Sequence, residues 1–172
     1  TLTDTSSPYM LWLTTVSPHQ PYNQSSVEGD KYLSITEDSD YSMELRRYMS
    51  KLKTFDNSLG ILLDRLKASG TLDDTVIVIS ADHYPYGLTI NEMKERATYI
   101  NDEKFDIHKN NLIIWNSQIK TPIKIDKYAS SLDILPTVLN LLGVEYDSRL
   151  LMGTDILSNS EGLVIFNDRS WI

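Results

Sequence analysis

A run of β-branched residues at positions 75–80, Thr-Val-Ile-Val-Ile-Ser, most constrains the fold of this chain. Val, Ile and Thr favour extended strands, and the run is too short for a typical helix. An uninterrupted apolar run, rather than alternation with polar residues, is typical of a strand covered on both faces. The run therefore predicts a central strand of a sheet with helices packed on both sides.

A long amphipathic helix is predicted directly before this strand. Its apolar residues recur every three or four positions and so form one stripe: Leu45, Tyr48, Leu52, Phe55, Leu59, Leu62 and Leu66. Ser39 or Asp40 is expected to cap the start, and Gly70 to end the helix in a left-handed conformation. The stripe indicates core packing rather than a cofactor site.

Further short apolar runs predict strands at residues 9–16, 112–115 and 162–166. Strands that alternate with helices, as apolar runs, are typical of an α/β fold. We therefore predict a mostly parallel sheet flanked by helices.

Two shorter helices are predicted in the second half of the chain. Asn91 is expected to cap one over residues 92–97. Ser131 or Asp133 is expected to cap the other, which Gly143 ends.

Composition excludes several classes of function. The chain has 172 residues, a net charge of −8 and no cysteine. An acidic chain repels nucleic acid, and without cysteine there is no thiolate metal site. No apolar run reaches the roughly 18 residues of a membrane span. Because the chain begins at Thr1 and ends close to an apolar stretch, we interpret residues 1–172 as a single, partial domain cut from a longer protein.

Asp82 and His83 follow the run at 75–80, where α/β sheets place their ligands. A carboxylate and an imidazole suit Mn²⁺ or Zn²⁺ better than Ca²⁺. His19 lies between two prolines in a stiff loop, and His108 lies in a polar stretch. The alternative is that Asp82 caps a turn and the three histidines lie on the surface, which is the interpretation we adopt for His108.

Several segments resemble lipoteichoic acid synthase-like enzymes of the alkaline phosphatase/sulfatase superfamily. Residues 75–83 are similar to the "TvivisaDH" segment of the superfamily, and residues 82–87 to the "DHYpyG" loop of those enzymes. Residues 15–22 resemble their "TvSgHxPy" stretch. Residues 131–143 and 152–157 resemble the "slDilPTllnLlG" helix and the "mGxDil" turn that follows it. These segments occur in family order, which implies the C-terminal portion of an alkaline phosphatase/sulfatase-like fold.

The resemblance implies a metal-dependent phosphoglycerol transferase or phosphodiesterase acting on cell-envelope head groups. Asp82 and His83 match two ligands of a divalent metal, Mn²⁺ first, with Zn²⁺ or Mg²⁺ as alternatives. His19 matches the histidine that contacts the phosphoglycerol group. The threonine nucleophile and a glutamate ligand are expected upstream of Thr1, in the N-terminal half of the domain. No catalytic residue is therefore assigned in this chain, and no turnover is expected from it alone.

Other interpretations stay open at this point. The same fold carries sulfatases and phosphoethanolamine transferases, and a non-catalytic binding module is an alternative of another class. The expected partner is a phosphatidylglycerol-type substrate or another phosphate or sulfate ester, and not nucleic acid. The parent protein is expected to be membrane-anchored on the extracytoplasmic face of the bacterial cell membrane. Uncovered apolar surface would let the fragment self-associate.

Overall fold

The computed structural model describes residues 7–172. The chain divides into two compact units, of which the first ends at Gln118 and the second comprises Ile119–Ile172. The helices of the first unit are α1 (Val27–Asp30), α2 (Met43–Ala68) and α3 (Ile90–Lys94), and its strands are β1 (Ile77–Ser80) and β2 (Leu112–Trp115). The second unit contains α4 (Ile134–Leu141). The prediction of one partial domain stays a prediction.

Helix α2 confirms the long helix predicted from the apolar stripe. The hydroxyl of Ser42 caps it by accepting from the amide of Leu45, so the prediction of Ser39 or Asp40 as the cap is wrong. Gly70 has a φ of 74°, and the amide of Thr71 donates to the carbonyl of Leu66. This is the left-handed ending expected of a glycine, because residues with a β-carbon rarely adopt that conformation.

The buried core of the first unit lies at the N-terminal half of α2. Leu45 packs there with Tyr22 and Leu88, and all three are nearly fully buried. Leu52 and Leu62 are more exposed, at 37% and 39%. Of the predicted stripe, Leu45 is the residue that enters the buried cluster, with Tyr48 packed against it.

Strands β1 and β2 pair antiparallel, with Ile77 opposite Trp115 and Ser80 opposite Leu112. Within residues 7–172 the sheet consists of these two strands, so the mostly parallel sheet is not confirmed. The prediction that β1 is covered on both faces is wrong, because burial alternates along it and Val78 is 37% exposed. Alternating burial is typical of antiparallel strands with one open face.

Two other predicted strands are also wrong. Residues 9–16 form no strand and are exposed, with Trp12 at 82%. Residues 162–166 contribute a single antiparallel bridge between Ile165 and Trp171. An apolar run becomes a strand only where another strand pairs with it, and that pairing is not encoded within the run itself.

The short helix α3 begins at Ile90, two residues earlier than a helix capped by Asn91 would. Thr89 is the cap, and it forms a reciprocal pair with Glu92. The hydroxyl of Thr89 accepts from the amide of Glu92, whose carboxylate accepts from the amide of Thr89. The sequence Thr-x-x-Glu is the capping-box pattern, so a local signal for the correct start was present.

The second unit is organised around the buried carboxylate of Asp133. This carboxylate accepts from the amide of Ser130 and from the amide of Thr154, each at 2.7 Å. Ser130 caps the preceding 3₁₀ turn, Ser131–Asp133, so Ser131 is not the cap. Asp133 occupies the capping position of α4, as predicted, but its side chain makes no capping hydrogen bond there. Asp133 instead joins the start of α4 to the turn at Thr154. Gly143, with a φ of 66°, ends the helix as predicted.

Within the described part of the chain, no helix is both long enough and apolar enough to cross a membrane.

Candidate functional site

Asp82 and His83 lie in the loop that follows β1, at the position the sequence predicts. Both side chains are exposed, and Oδ1 of Asp82 is 3.6 Å from Nε2 of His83. Nδ1 of His83 is 2.7 Å from the carbonyl oxygen of Tyr84. Because a carbonyl only accepts hydrogen bonds, Nδ1 carries a proton, which leaves the lone pair of a neutral imidazole on Nε2. A metal-binding histidine usually makes such a second bond.

This pair fits half of a metal site. A carboxylate oxygen and an imidazole nitrogen lie 3.6 Å apart, a distance that one ion can bridge. Across residues 7–172, no group of three or more histidine, aspartate and glutamate side chains is arranged to hold a metal. Asp82 and His83, two of the four ligands that the resemblance implies, lie close together, and their role as ligands stays a prediction.

The loop that carries His19 is held by hydrogen bonds from α2. Nζ of Lys51 donates to the carbonyl of His19 at 2.7 Å and to that of Pro21 at 3.1 Å. Within the loop, the phenol of Tyr22 donates to the carbonyl of Pro18 at 2.9 Å. Nδ1 of His19 bonds to the carbonyl of Gln20, the next residue, as Nδ1 of His83 bonds to the carbonyl of Tyr84. This bond does not involve Nε2 of His19.

The two predicted site loops pack against each other. A β-carbon on Gly87 would lie 2.8 Å from Oε1 of Gln20 and 2.8 Å from Cε2 of Tyr22. The backbone at residue 87 therefore approaches the His19 loop as closely as only glycine allows. Leu88 then enters the same buried cluster as Tyr22. The structure thus brings together the loops of His19 and of Asp82 and His83, which are some sixty residues apart in the sequence.

An aromatic cluster borders the Asp82–His83 pair. The ring of His83 is 4.5 Å from that of Tyr86, which is 6.3 Å from that of Tyr84. The ring of His108 meets Tyr84 edge to face at 5.1 Å. His108 is exposed, as predicted, but it also belongs to this cluster, which the sequence did not indicate.

Burial makes Tyr22 a neutral hydrogen-bond donor over a wide range of pH. Desolvation raises the pKa of Tyr22 to about 12, and the neighbouring phenols of Tyr48 and Tyr86 act in the same direction. The phenol therefore keeps its proton, and its bond to the carbonyl of Pro18, well above neutral pH.

Sequence reasoning missed the polar residues of α2 that hold the His19 loop. Arg47 donates to the carbonyl of Tyr22 at 3.3 Å and pairs with Asp30 at 2.9 Å. Lys51 lies one turn further along the helix and is only 6% exposed. Their spacing of four, beside the buried Leu45, was the available signal, because residues four apart share one helix face.

Comparison with known proteins agrees with the sequence motifs. The family model described as Sulfatase matches residues 1–144, which is most of the chain. Lipoteichoic acid synthase of Staphylococcus saprophyticus is 32% identical over 155 residues, covering 88% of this chain and 23% of that protein. Lipoteichoic acid synthase 2 of Bacillus subtilis is 30% identical over 164 residues, covering 92% of this chain and 24% of that protein.

Lipoteichoic acid synthase of Staphylococcus aureus (strain USA300) is 28% identical over 166 residues, again covering 92% of this chain and 24% of the relative. The chain thus spans about a quarter of the length of the curated relatives it matches. The family match includes both site loops and extends past Gln118 into the second unit. The chain therefore belongs to the sulfatase family.

Proposed function

We propose that this chain carries the metal-binding and head-group-binding part of a metal-dependent phosphoglycerol transferase or phosphodiesterase of the cell envelope. The observation that carries the proposal is the contact of Gly87 with Gln20 and Tyr22. It sets the loop of Asp82 and His83 against the loop of His19. The similarity to proteins named lipoteichoic acid synthases supports the choice of substrate class.

Asp82 and His83 would hold the divalent cation, with Mn²⁺ first and Zn²⁺ or Mg²⁺ as alternatives. The bond from Nδ1 of His83 to the carbonyl of Tyr84 orients the ring and leaves Nε2 available. When bound, the cation supplies positive charge that lowers the pKa of an attacking hydroxyl and stabilises the phosphoryl oxygens. With Nδ1 donating to the carbonyl of Gln20, Nε2 of His19 would accept a hydrogen bond from a glycerol hydroxyl of the phosphoglycerol group.

The nucleophile of this proposal is not among the residues of this chain. We expect the nucleophilic threonine and a glutamate ligand to precede Thr1, so residues 1–172 alone would bind the metal weakly and show no turnover. The parent protein would be anchored at the extracytoplasmic face of the membrane, where phosphatidylglycerol-type head groups are accessible. The acceptor would be a growing polymer, a glycan or water.

Two alternatives differ from the proposal in the ligand they predict. A sulfatase would bind sulfate esters, and a phosphoethanolamine transferase would bind an ammonium-bearing head group. A third alternative, a non-catalytic binding module, would bind its ligand equally well with and without the metal. The pairing of Asp82 with His83 at 3.6 Å, beside a second histidine loop, favours an enzyme site over such a module.

The test is calorimetric titration of the chain with glycerol phosphate, phosphoethanolamine and sulfate, with and without Mn²⁺. We expect glycerol phosphate to bind most tightly, and only in the presence of Mn²⁺. His19→Ala should abolish this binding, whereas Gln24→Ala, at an exposed position in the same segment, should not change it. Preference for sulfate would favour the sulfatase, and binding independent of Mn²⁺ would favour the module.

A chromogenic phosphodiester with Mn²⁺ tests the absence of turnover. The expected rate equals that of buffer alone. Turnover that disappears in His83→Ala would contradict the expected position of the nucleophile.

A further inference from the structure

Lys51 is a buried lysine in the middle of the contact between α2 and the His19 loop. Its side chain extends from the inner face of α2, and the residue is 6% exposed. The contacts that the structure records for its ammonium are two carbonyl oxygens and an aromatic ring, all from residues 19–22. Burying a charge is costly unless the surroundings compensate for lost water, so a lysine here requires a reason beyond core packing.

The ammonium of Lys51 has three partners in one short segment. It donates to the carbonyls of His19 and Pro21, at 2.7 and 3.1 Å. Nζ also lies over the ring of Tyr22, 5.5 Å from its centroid, where a cation is attracted to the π electrons. A single side chain therefore holds the backbone on both sides of Gln20.

Arg47 extends the same contact by one helical turn. It donates to the carbonyl of Tyr22, so α2 binds the carbonyls of residues 19, 21 and 22 through two side chains. Arg47 is neutralised by Asp30, whereas no carboxylate is recorded at Lys51 in the described part of the chain. The positive charge of Arg47 is therefore balanced by a carboxylate, whereas that of Lys51, beside the His19 loop, is bound by carbonyl oxygens.

We infer that Lys51 is a positioning residue for His19 and that its charge contributes to anion binding at this loop. The inference rests on the proposed function, in which His19 contacts the phosphoglycerol group. The ammonium does not touch the ligand. It holds the backbone that carries the imidazole, and its charge acts through a partly water-excluded region in which electrostatic attraction is stronger than in bulk water.

The variants separate hydrogen bonding from charge. Lys51→Met keeps the length of the side chain and removes both properties, Lys51→Gln keeps a donor without the charge, and Lys51→Arg keeps both. Lys53→Met is the matched control. It removes the same charge from the same helix, at a more exposed lysine that pairs with Asp56 on the surface.

The first measurement is amide hydrogen exchange, which needs no ligand. The amide of His19 bonds to the carbonyl of Val16, and this turn depends on the loop being held. We expect faster exchange at the amide of His19 in Lys51→Met, with the last turns of α2 unchanged. Exchange at His19 equal to that of the wild-type chain would overturn the inference, whatever the ligand.

The second measurement is the affinity for glycerol phosphate with Mn²⁺. We expect about a tenfold loss in Lys51→Met, the size of one charge-assisted hydrogen bond, and recovery in Lys51→Arg. Lys53→Met should bind like the wild-type chain. Lys51→Gln is expected to lose severalfold in affinity for glycerol phosphate. This variant replaces Lys51→Met in the test if circular dichroism shows that Lys51→Met is unfolded.

The outcomes separate this inference from the proposed function. Unchanged affinity in Lys51→Met and Lys51→Gln, while the wild-type chain binds and His19→Ala does not, would make Lys51 structural only and overturn the inference. No binding by the wild-type chain would instead overturn the proposed function.

Discussion

The backbone of Gly87 lies so close to Gln20 that a β-carbon at residue 87 would sit 2.8 Å from Oε1 of that side chain. The neighbouring contact with Tyr22 is equally short. This packing joins the two loops that hold His19, Asp82 and His83. The proposed site depends on it, because a metal and a phosphate group must be bound side by side.

Gly87→Ala should therefore separate the two loops. The added methyl group overlaps both Gln20 and Tyr22, so one loop must move. We expect at least a tenfold loss of glycerol phosphate affinity in calorimetry, because a displacement of about 1 Å in a binding site has large effects.

Gly60→Ala is the control for this substitution. Gly60 lies within α2, and a β-carbon there meets nothing within 4 Å. Alanine should stabilise the helix by about 1 kcal/mol and leave affinity unchanged. Equal affinities in both variants would contradict the role of the loop contact.

Tyr22→Phe should change the alkaline stability of the chain. Burial raises the pKa of Tyr22 to about 12 from 10.0, so the folded state keeps the proton after the unfolded state has lost it. The stabilisation that depends on this phenol is complete below pH 10 and is lost as pH rises towards 12. In denaturant titrations, Tyr22→Phe should flatten this decline.

The same variant should also be less stable at neutral pH, by about 1 kcal/mol, because its hydrogen bond to Pro18 is lost. Tyr9→Phe, at an exposed tyrosine, is the control and should match the wild-type chain throughout. A decline between pH 10 and 12 as steep in Tyr22→Phe as in the wild-type chain would show that another group causes it.

Asp133→Asn should destabilise the second unit. The buried carboxylate accepts from two amides, those of Ser130 and Thr154, and an amide side chain offers one acceptor oxygen in place of two. We expect a loss of about 2 kcal/mol in the free energy of unfolding, measured by chemical denaturation. Asp126→Asn, at an exposed position, should have no such effect. Equal stability of the two variants would refute the role of Asp133 as the link between α4 and the turn at Thr154.

Local patterns predicted the helices best. The stripe from Leu45 to Leu66 indicated α2 because helical periodicity is set by neighbours three and four residues apart. Gly70 and Gly143 marked helix ends for an equally local reason, since both adopt positive φ. The cap of α2 was missed because Ser39, Asp40 and Ser42 are all suitable capping residues.

Strands were predicted less well because their pairing depends on distant residues. Residues 77–80 and 112–115 do form strands, but only tertiary structure shows that they are antiparallel. Residues 9–16 have an equally apolar sequence and remain unpaired and exposed. Membership of the sulfatase family supports the α/β class, whereas the mostly parallel arrangement is not seen in residues 7–172.

In the candidate site, too, local features were predicted from the sequence and contacts between distant residues were not. The position of Asp82 and His83 past β1 follows from the sequence, because the end of an apolar run is a local feature. The contacts of Gly87 with Gln20 and of Lys51 with His19 join residues far apart in the chain. Sequence periodicity predicts contacts between near neighbours only. The contacts that hold the His19 loop were therefore found only in the structure.

The most direct test of the central claim is the effect of Mn²⁺ on the NMR signals of the three histidines. Mn²⁺ is paramagnetic and broadens nearby resonances, so His19, His83 and His108 act as three local probes in one spectrum. We predict that the imidazole signals of His83 broaden at the lowest Mn²⁺ concentrations, and that Asp82→Asn, but not Asp102→Asn, raises the concentration required. Broadening that begins at His108, or that is the same in Asp82→Asn and the wild-type chain, would contradict a metal site at Asp82 and His83.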